Sequence, residues 1–309
     1  METPKSMIVI LAPGQGSQKP GFLNGWLELP EFKNELTLLQ ETIGLDLIKH
    51  GTLSDEETIR DTAIAQPLIV AASIASAKLL NLSLVSGVAG HSVGEVSAAA
   101  IAGILSNTDA MKLVDVRAKA MAKAAAASEQ SMAAVLGGDQ ATVIAKLSEL
   151  GLSGANFNGA GQIVAAGSKT AIQELVASPP ESAKVIPLSV AGAFHTKFME
   201  PAVSELEAFV ESVSISDPAL TIWSNQAGQG ISSGADFMAL LVGQVANSVR
   251  WDLCMDSMVK AGVTGVIELS PAGTLAGLAK RGMPGVEIVA LKSPSDIETA
   301  NSLIERLGK

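Results

Sequence analysis

The chain has 309 residues, of which 48% are hydrophobic and 17% charged, so a large core is available and global disorder is not expected. With 21 Lys and Arg against 31 Asp and Glu, the formal net charge is −10, which argues against non-specific binding of nucleic acid. The one cysteine cannot form an intramolecular disulfide, and no Cys and His cluster has the spacing of a metal site.

The first apolar run, residues 7–12, ends at Pro13-Gly14 and is too short for a signal peptide. No segment approaches the length of about eighteen uninterrupted apolar residues that a membrane span needs, so none is expected. We therefore expect a cytoplasmic protein, and we take a monomer as the default. The length fits one large domain, or a large domain that carries a smaller insert.

The run over residues 7–12 predicts a strand that is buried on both faces of a parallel sheet. The glycine-rich loop after it lacks the spacing of phosphate-binding and dinucleotide-binding motifs, so we exclude a nucleotide site there. Ligands of α/β proteins nevertheless bind at such strand ends. Short polar helices are predicted over residues 21–65, an apolar helix from 65 to about 80, a strand over 87–89 and a helix over 93–105. A further helix, capped by Thr108 or Asp109, runs to about residue 126.

The next stretch, residues 129–190, predicts a small inserted domain. Its strands are expected over 131–138, 153–157, 162–167 and 183–189, and its helices over 139–150 and 169–177, an order typical of ferredoxin-like folds. Later strands are predicted over 220–224, 265–269 and 288–291, and helices over 199–213, 237–245 and from about residue 274 to 281. This alternation predicts a mainly parallel sheet with helices on both faces, formed by residues 1–128 and 191–309.

The stretch Gly90-His91-Ser92-Val93-Gly94 reads Gly-x-Ser-x-Gly between a predicted strand and a helix, as in a nucleophile elbow. An ordinary glycine-rich turn gives the same pattern, and a serine hydroxyl needs a base to become a nucleophile. The chain has three histidines. His50 ends a polar helical stretch, and His91 is expected to point to the other side of the turn and to pack there. His195, in a glycine-bounded loop after a predicted strand, is therefore the candidate base.

Arg117 lies in a helix of small and apolar residues. One interpretation is a surface arginine that is paired with Asp115 or Glu95. The other is a buried guanidinium that binds a ligand carboxylate through two parallel hydrogen bonds, which a lysine cannot form. The sequence pattern alone leaves both interpretations open.

Seven short motifs then occur in one order along the chain, and together they are specific. They are Gly14-Gln15-Gly16-Ser17-Gln18, Gln66-Pro67, Gly90-His91-Ser92-Val93-Gly94-Glu95, Arg117 with Met121, Gly192-Ala193-Phe194-His195, Asn247-Ser248-Val249-Arg250-Trp251 and Glu268-Leu269-Ser270-Pro271. In these residues the chain resembles malonyl-CoA:acyl carrier protein transacylases, from residue 8 to about residue 281. Ser270-Pro271-Ala272-Gly273 departs from the family's more usual Gly-Pro-Gly.

The resemblance implies an α/β fold with an α/β-hydrolase-like large domain, a parallel sheet core and an inserted ferredoxin-like domain. It implies that Ser92 carries the malonyl group as a covalent intermediate, with His195 as base and then acid. A backbone carbonyl at Gln244 would orient the histidine. The backbone N–H groups of Gln15 and Val93 would form the oxyanion hole. We expect the base to titrate near the ordinary pKa of histidine.

The resemblance also implies how the acyl group is held. Arg117 would bind its free carboxylate, Gln66 and Met121 would contact it, and Phe194 would crowd its α-carbon and disfavour methylmalonyl groups. Asn158 and Asn225 match polar positions near the family's cleft. Candidate contacts for an acidic carrier protein are Lys197, Lys280 and Arg281.

The implied function is transfer of malonyl from malonyl-CoA to the phosphopantetheine thiol of acyl carrier protein, for fatty acid biosynthesis. The substrate is a coenzyme A thioester, and no tightly bound cofactor or metal is expected. Polyketide synthesis is an alternative pathway. A serine thioesterase or lipase is an alternative activity, although it would need an acidic residue between Ser92 and His195 and has no use for Arg117.

Overall fold

A computed structural model describes residues 6–190 and 192–308, so residue 191, where we placed a domain boundary, lies outside the described residues. Within this part of the chain ten strands form two sheets. The strands are β1 (Met7–Ala12), β2 (Gly87–Gly90), β3 (Gln130–Gly137), β4 (Ser153–Gly159), β5 (Gln162–Ser168), β6 (Ala183–Leu188), β7 (Thr221–Trp223), β8 (Gly230–Ile231), β9 (Val263–Glu268) and β10 (Glu287–Ala290).

The larger sheet has the strand order β10-β9-β1-β2-β7-β8. Its first five strands are parallel to one another, and β8 pairs antiparallel with β7 at the edge. The second sheet has the order β4-β5-β3-β6, and all its pairs are antiparallel. The chain is thus an α/β protein with a mainly parallel sheet and a separate antiparallel sheet, as the alternation of elements predicted.

Thirteen α-helices surround the two sheets in the described residues. They are α1 (Pro30–Ile43), α2 (Leu47–Thr52), α3 (Glu56–Arg60), α4 (Thr62–Ala77), α5 (Gly94–Ile101), α6 (Asn107–Ala126), α7 (Gln140–Glu149), α8 (Lys169–Ala177), α9 (Glu200–Val210), α10 (Gly234–Gln244), α11 (Trp251–Lys260), α12 (Thr274–Gly282) and α13 (Ile297–Leu307). None of the helices described is both long enough and apolar enough to span a bilayer.

Strand β1 lies in the middle of the larger sheet and is buried on both faces, as its continuous apolar run predicts. Because side chains alternate along a strand, Ile8 and Ile10 pack into the core cluster that holds α4, α5, α6 and α13. Val9 and Leu11 pack into a second cluster with α11 and α12. Helices therefore cover both faces of this sheet, and the carboxyl ends of β1 and β2 lie side by side, with Ala12 opposite Gly90.

The antiparallel sheet packs its own helices, α7 and α8, against one face, and its other face packs against the rest of the chain. Ala133 and Val135 of β3 pack with α7 and α8, whereas Met132 belongs to the main core cluster. The main-chain segment before α11 joins this sheet to the rest of the chain, because the Phe157 N–H donates to the Val249 carbonyl and the Val249 N–H to the Ala155 carbonyl. The face without α7 and α8 is thereby turned toward the carboxyl ends of β1 and β2.

Several predicted boundaries were wrong by a few residues. Helix α6 is capped by the Ser106 hydroxyl, which accepts from the Asp109 N–H, instead of by Thr108 or Asp109. Helix α4 begins at Thr62 behind an Asp61 cap, and α5 ends at Ile101. The edge strand β8 and helices α11 and α13 were not predicted, although both helices carry apolar residues at helical spacing.

Candidate active site

Ser92 lies on the turn between β2 and α5 with φ 53°, a left-handed conformation that is rare for a residue with a side chain. The glycines on either side are required by close packing. A Cβ on Gly90 would lie 2.1 Å from the Gly94 carbonyl carbon, and one on Gly94 would lie 2.1 Å from the Ala12 carbonyl oxygen. The turn therefore raises the Ser92 side chain above the carboxyl ends of the strands, as an elbow requires.

The His195 side chain meets the serine. Its Nε2 lies 2.7 Å from Ser92 Oγ, and its Nδ1 lies 2.9 Å from the Gln244 backbone carbonyl. Because a carbonyl only accepts hydrogen bonds, Nδ1 carries the proton and the neutral Nε2 is free to accept from the serine. The His195 N–H donates to the Val245 carbonyl at 3.0 Å, which fixes a backbone that also has positive φ, 61°.

His195 is 4% exposed, and its environment opposes a positive imidazole. Burial, and then the positive charge of Arg117, lower the pKa of His195 to about 3. We expected the base to titrate near the ordinary pKa of histidine, and the pKa of buried His195 lies well below that value. The side chain is neutral over the physiological range, in the form that can take a proton.

Arg117 is 1% exposed, so the surface interpretation is wrong. Asp115 forms an ion pair with Lys119 instead. The Arg117 Nη1 donates to Gln66 Oε1 at 2.5 Å, and Nη2 donates to Gln244 Oε1 at 2.8 Å and lies 3.4 Å from Ser92 Oγ. A permanently charged, planar guanidinium group is thus fixed beside the candidate nucleophile.

A cavity of about 170 Å³ opens over Ser92, large enough for a small acyl group. Most of its wall is apolar, and the face of the antiparallel sheet opposite α7 and α8 forms one side through Met132, Val164 and Leu188. Of the residues singled out in the sequence, the cavity brings together Gln15, Gln66, His91, Ser92, Arg117, Met121, Asn158, Phe194 and His195. The Gln66 amide also contacts the Met121 sulfur at 3.6 Å.

Two backbone N–H groups beside Ser92 have no hydrogen-bond acceptor among the residues described, those of Gln15 and Val93. Val93 directly precedes α5, so its N–H belongs to the positive end of that helix. The Gln15 side chain is tied to the Thr62 hydroxyl at 3.2 Å, which anchors the loop that carries its backbone. An oxygen that gains negative charge above Ser92 would need unengaged donors of this kind.

A buried polar network beneath the elbow was not predicted from the sequence. Glu95 is fully buried and accepts from the Asn225 N–H at 2.6 Å and from the Gln244 side-chain amide. The Asn225 side chain accepts from the Ser92 N–H at 2.7 Å and donates to the Gly90 carbonyl at 2.7 Å. Burial raises the pKa of Glu95 to about 8.

The remaining candidates lie around or away from this centre. His91 Nε2 is 3.0 Å from Asn158 Oδ1 and its ring packs edge-on against Trp251, so it lines the cavity without reaching the serine hydroxyl. His50 pairs with Ser54 outside the cavity. Three cationic side chains, Lys197, Lys280 and Arg281, are exposed. No group of His, Cys, Asp and Glu suited to a metal ion occurs in the described part of the chain.

Comparisons with known proteins agree along nearly the whole chain. Residues 9–300 match the acyl transferase domain family. The "malonyl CoA-acyl carrier protein transacylase" of Mycobacterium tuberculosis is 46% identical over 302 residues, 96% of this chain and 100% of that protein. The crystal structure of "MCAT" from M. tuberculosis superposes with a TM-score of 0.92, at 46% identity over 96% of this chain and 99% of that one. A structure of a type II PKS acyl-carrier protein in complex with its malonyl-transacylase superposes with a TM-score of 0.90, at 28% identity over 96% of this chain and 100% of that one.

Proposed function

Because this chain belongs to the acyl transferase domain family, we propose that it transfers a malonyl group from malonyl-CoA to the phosphopantetheine thiol of an acyl carrier protein, as a supply step of fatty acid synthesis. The names of the relatives support the substrate and the partner. The observation that carries the proposal is the buried guanidinium of Arg117, 3.4 Å from a serine hydroxyl that is itself bonded to a histidine. That arrangement suits an acyl group with a free carboxylate.

In the first half-reaction, Ser92 Oγ attacks the thioester carbonyl while its proton passes to His195 Nε2. The carbonyl oxygen gains a negative charge, which the N–H groups of Gln15 and Val93 stabilise. Collapse of the tetrahedral intermediate breaks the carbon–sulfur bond. The departing sulfur of coenzyme A takes the proton from His195, and a malonyl ester remains on Ser92.

In the second half-reaction the thiol of the carrier protein gives its proton to His195 and attacks the Ser92 ester. The serine oxygen leaves and recovers a proton from His195, which completes a ping-pong cycle. The Gln244 carbonyl, 2.9 Å from Nδ1, holds the imidazole in the required tautomer. A carbonyl takes the place that an acidic side chain has in a triad, which favours this transferase over a serine hydrolase.

Selectivity follows from the walls of the cavity. Arg117 binds the malonyl carboxylate, and an acetyl group would leave the buried guanidinium without that partner. Gln66 holds the guanidinium and, together with Met121, borders the acyl group. Phe194 is 6% exposed and lies next to His195, where an α-methyl group would have to fit.

We also propose the finer architecture. The βαββαβ element order and the strand order β4-β5-β3-β6 support a ferredoxin-like insert over residues 129–190. The parallel sheet with its serine elbow supports an α/β-hydrolase-like domain formed by residues 1–128 and 191–309. Helix α12 lines the cavity with Leu278 and carries Lys280 and Arg281 on its exposed last turn, which supports contact with an acidic carrier. The monomeric state and the cytoplasmic location stay predictions.

The proposed function is tested by incubating the protein with malonyl-CoA, quenching in acid and sequencing the peptides by mass spectrometry. We expect a malonyl adduct on the peptide that contains Ser92, because the ester persists until a thiol acceptor arrives. Adding an acyl carrier protein in its thiol form should remove the adduct and load the carrier. The Ser92→Ala variant is the matched control. Rapid release of free malonate without an adduct would instead indicate a hydrolase.

Replacing Phe194 with alanine should widen the cavity beside the acyl α-carbon. We expect the loading rate of methylmalonyl-CoA relative to malonyl-CoA to rise about 10- to 100-fold, since one methyl group in an apolar site is worth about 1–3 kcal/mol. Phe209→Ala, a change on α9 outside the cavity, should leave the ratio unchanged. An unchanged ratio in Phe194→Ala would remove this residue from the selectivity argument.

A further inference from the structure

Glu95 and Arg117 are two opposite charges buried on either side of one amide. The Gln244 side chain accepts from Arg117 Nη2 through Oε1 and donates to Glu95 Oε2 through Nε2. The same Nε2 reaches the Ser92 carbonyl at 3.1 Å and Asn225 Oδ1 at 3.2 Å. Glu95 and Arg117 are 0% and 1% exposed, so neither charge is compensated by solvent.

The charge in this buried region is balanced while the acyl site is empty and Glu95 is ionised. Arg117 contributes one positive charge and Glu95 one negative charge. A malonyl carboxylate on Arg117 adds a second negative charge to a region with little access to water. Two buried carboxylates near one guanidinium cannot both stay ionised without a large cost, so one of them must take a proton. The carboxylate bonded directly to the guanidinium keeps its charge, and the more distant one does not.

We propose that Glu95, where it is ionised in the empty site, is the counter-charge of Arg117 and takes up one proton from solvent when a malonyl carboxylate binds there. The step forms an O–H bond on the Glu95 carboxylate and breaks one in the solvent or buffer acid that donates the proton, which is left as water or buffer base. It rests on the proposed function, because malonyl supplies the second carboxylate. Glu95 is thus a positioning residue of the acyl site, and through the Gln244 amide it sets how firmly Arg117 is held for its substrate.

The hydrogen bonds provide a route for this exchange. Both oxygens of Glu95 accept from N–H donors, so a protonated carboxyl needs a new acceptor. Arg117 releases Gln244 Oε1 when its N–H groups bind the malonyl carboxylate. The Gln244 amide then turns over and its oxygen accepts the Glu95 proton, at the expense of the bonds of Nε2 to Ser92 and Asn225.

Of Glu95 and the titratable groups that face it, only Glu95 changes its protonation state between pH 7 and 9. The pKa of Glu95 is raised to about 8 by burial, and that of Arg117 on α6 is lowered only to about 10. Burial lowers the pKa of His195 and His91, on the loops above, so both are neutral there. Burial raises the pKa of the Cys254 thiol on α11, which therefore stays protonated.

The test measures binding of malonyl-CoA to the Ser92→Ala protein, which cannot be acylated, at pH 7 and pH 9. Because the bound form holds the extra proton, we expect Kd to rise about tenfold over this range. In Ser92→Ala/Glu95→Gln the amide has the donor and acceptor of a protonated carboxyl, so Kd should be nearly constant. Acetyl-CoA, which has the same nucleotide and no free carboxylate, should show no such rise with Ser92→Ala.

Calorimetry on Ser92→Ala alone gives a second readout that does not depend on how well the double variant folds. Titrations at pH 9 in buffers of different ionisation enthalpy should report uptake of close to one proton per malonyl-CoA, and close to none at pH 6.5. A pH-independent Kd without proton uptake, or the same rise after Glu95→Gln or with acetyl-CoA, would overturn the role of Glu95. Failure of malonyl-CoA to bind at any pH would instead show that the proposed function is wrong.

Discussion

Replacing His195 with alanine should slow malonyl loading of Ser92 by roughly 10²- to 10⁴-fold, the usual contribution of a positioned general base. The reason is geometric, because Nε2 lies 2.7 Å from Ser92 Oγ and no other described histidine contacts that oxygen. The rate is measured by quenching single turnovers with malonyl-CoA and quantifying the Ser92 peptide. His50→Ala, a change at a histidine bonded to Ser54, should keep the wild-type rate.

The pH profile of the wild-type protein tests the same base. Its pKa is lowered to about 3, so His195 is already neutral at pH 5, and protonation removes the base only as the pH falls through that lower value. We therefore expect kcat/KM for malonyl loading to be flat from pH 5 to 7. A break near pH 6.5 in the wild type would place the base at the ordinary histidine pKa and contradict this expectation.

Replacing Arg117 with alanine should remove most of the preference for malonyl over acetyl groups. The change removes a buried guanidinium that pairs with a carboxylate, and losing one partner of a buried pair costs about 3–5 kcal/mol, or about 10²- to 10⁴-fold in kcat/KM for malonyl-CoA. Acetyl-CoA makes no such pair, so its loading should fall far less. The ratio of malonyl to acetyl adduct on Ser92, from competition between equal concentrations, is the measurement.

The Arg117→Lys variant separates the effect of the positive charge from the effect of the planar guanidinium geometry. A lysine keeps the positive charge but cannot form two parallel bonds, so we expect a malonyl preference between those of the wild type and the alanine variant. Thermal melting of each variant checks that the buried position tolerates the change. An equal fall in malonyl and acetyl loading in a folded Arg117→Ala protein would contradict carboxylate recognition.

Much of the fold could be predicted because local patterns of apolar residues determine its strands and helices. The unbroken apolar run of β1 predicted a strand buried on both faces, and it lies in the centre of the parallel sheet. Helices α11 and α13 have apolar residues at helical spacing and could have been predicted in the same way. The two-residue edge strand β8 could not, because its pairing with β7 depends on a turn and not on periodicity.

The candidate site likewise has a part that local motifs predicted and a part that depends on contacts between distant residues. Ser92, His195, Arg117 and Gln15 stand in short motifs, and the resemblance of these motifs to a known family implied that the four residues would meet. The contacts beneath the elbow join residues far apart in the chain, such as Glu95 with Asn225 and Gln244. Glu95 is part of a recognised motif, but no spacing rule assigns a partner 130 residues away. The depressed pKa of His195 was unpredictable for the same reason, since it depends on burial and on where Arg117 lies.

The glycines of the elbow have a consequence for anyone who wishes to redesign the acyl range of this protein. A single methyl group on Gly90 or Gly94 would meet main-chain atoms at 2.1 Å, so neither position tolerates a library of side chains. Variation can instead be introduced at Met132, Val164 and Leu188, which line the cavity from the antiparallel sheet. Side-chain changes at these wall positions leave the two elbow glycines in place, so directed evolution of the acyl range should sample the wall and not the elbow.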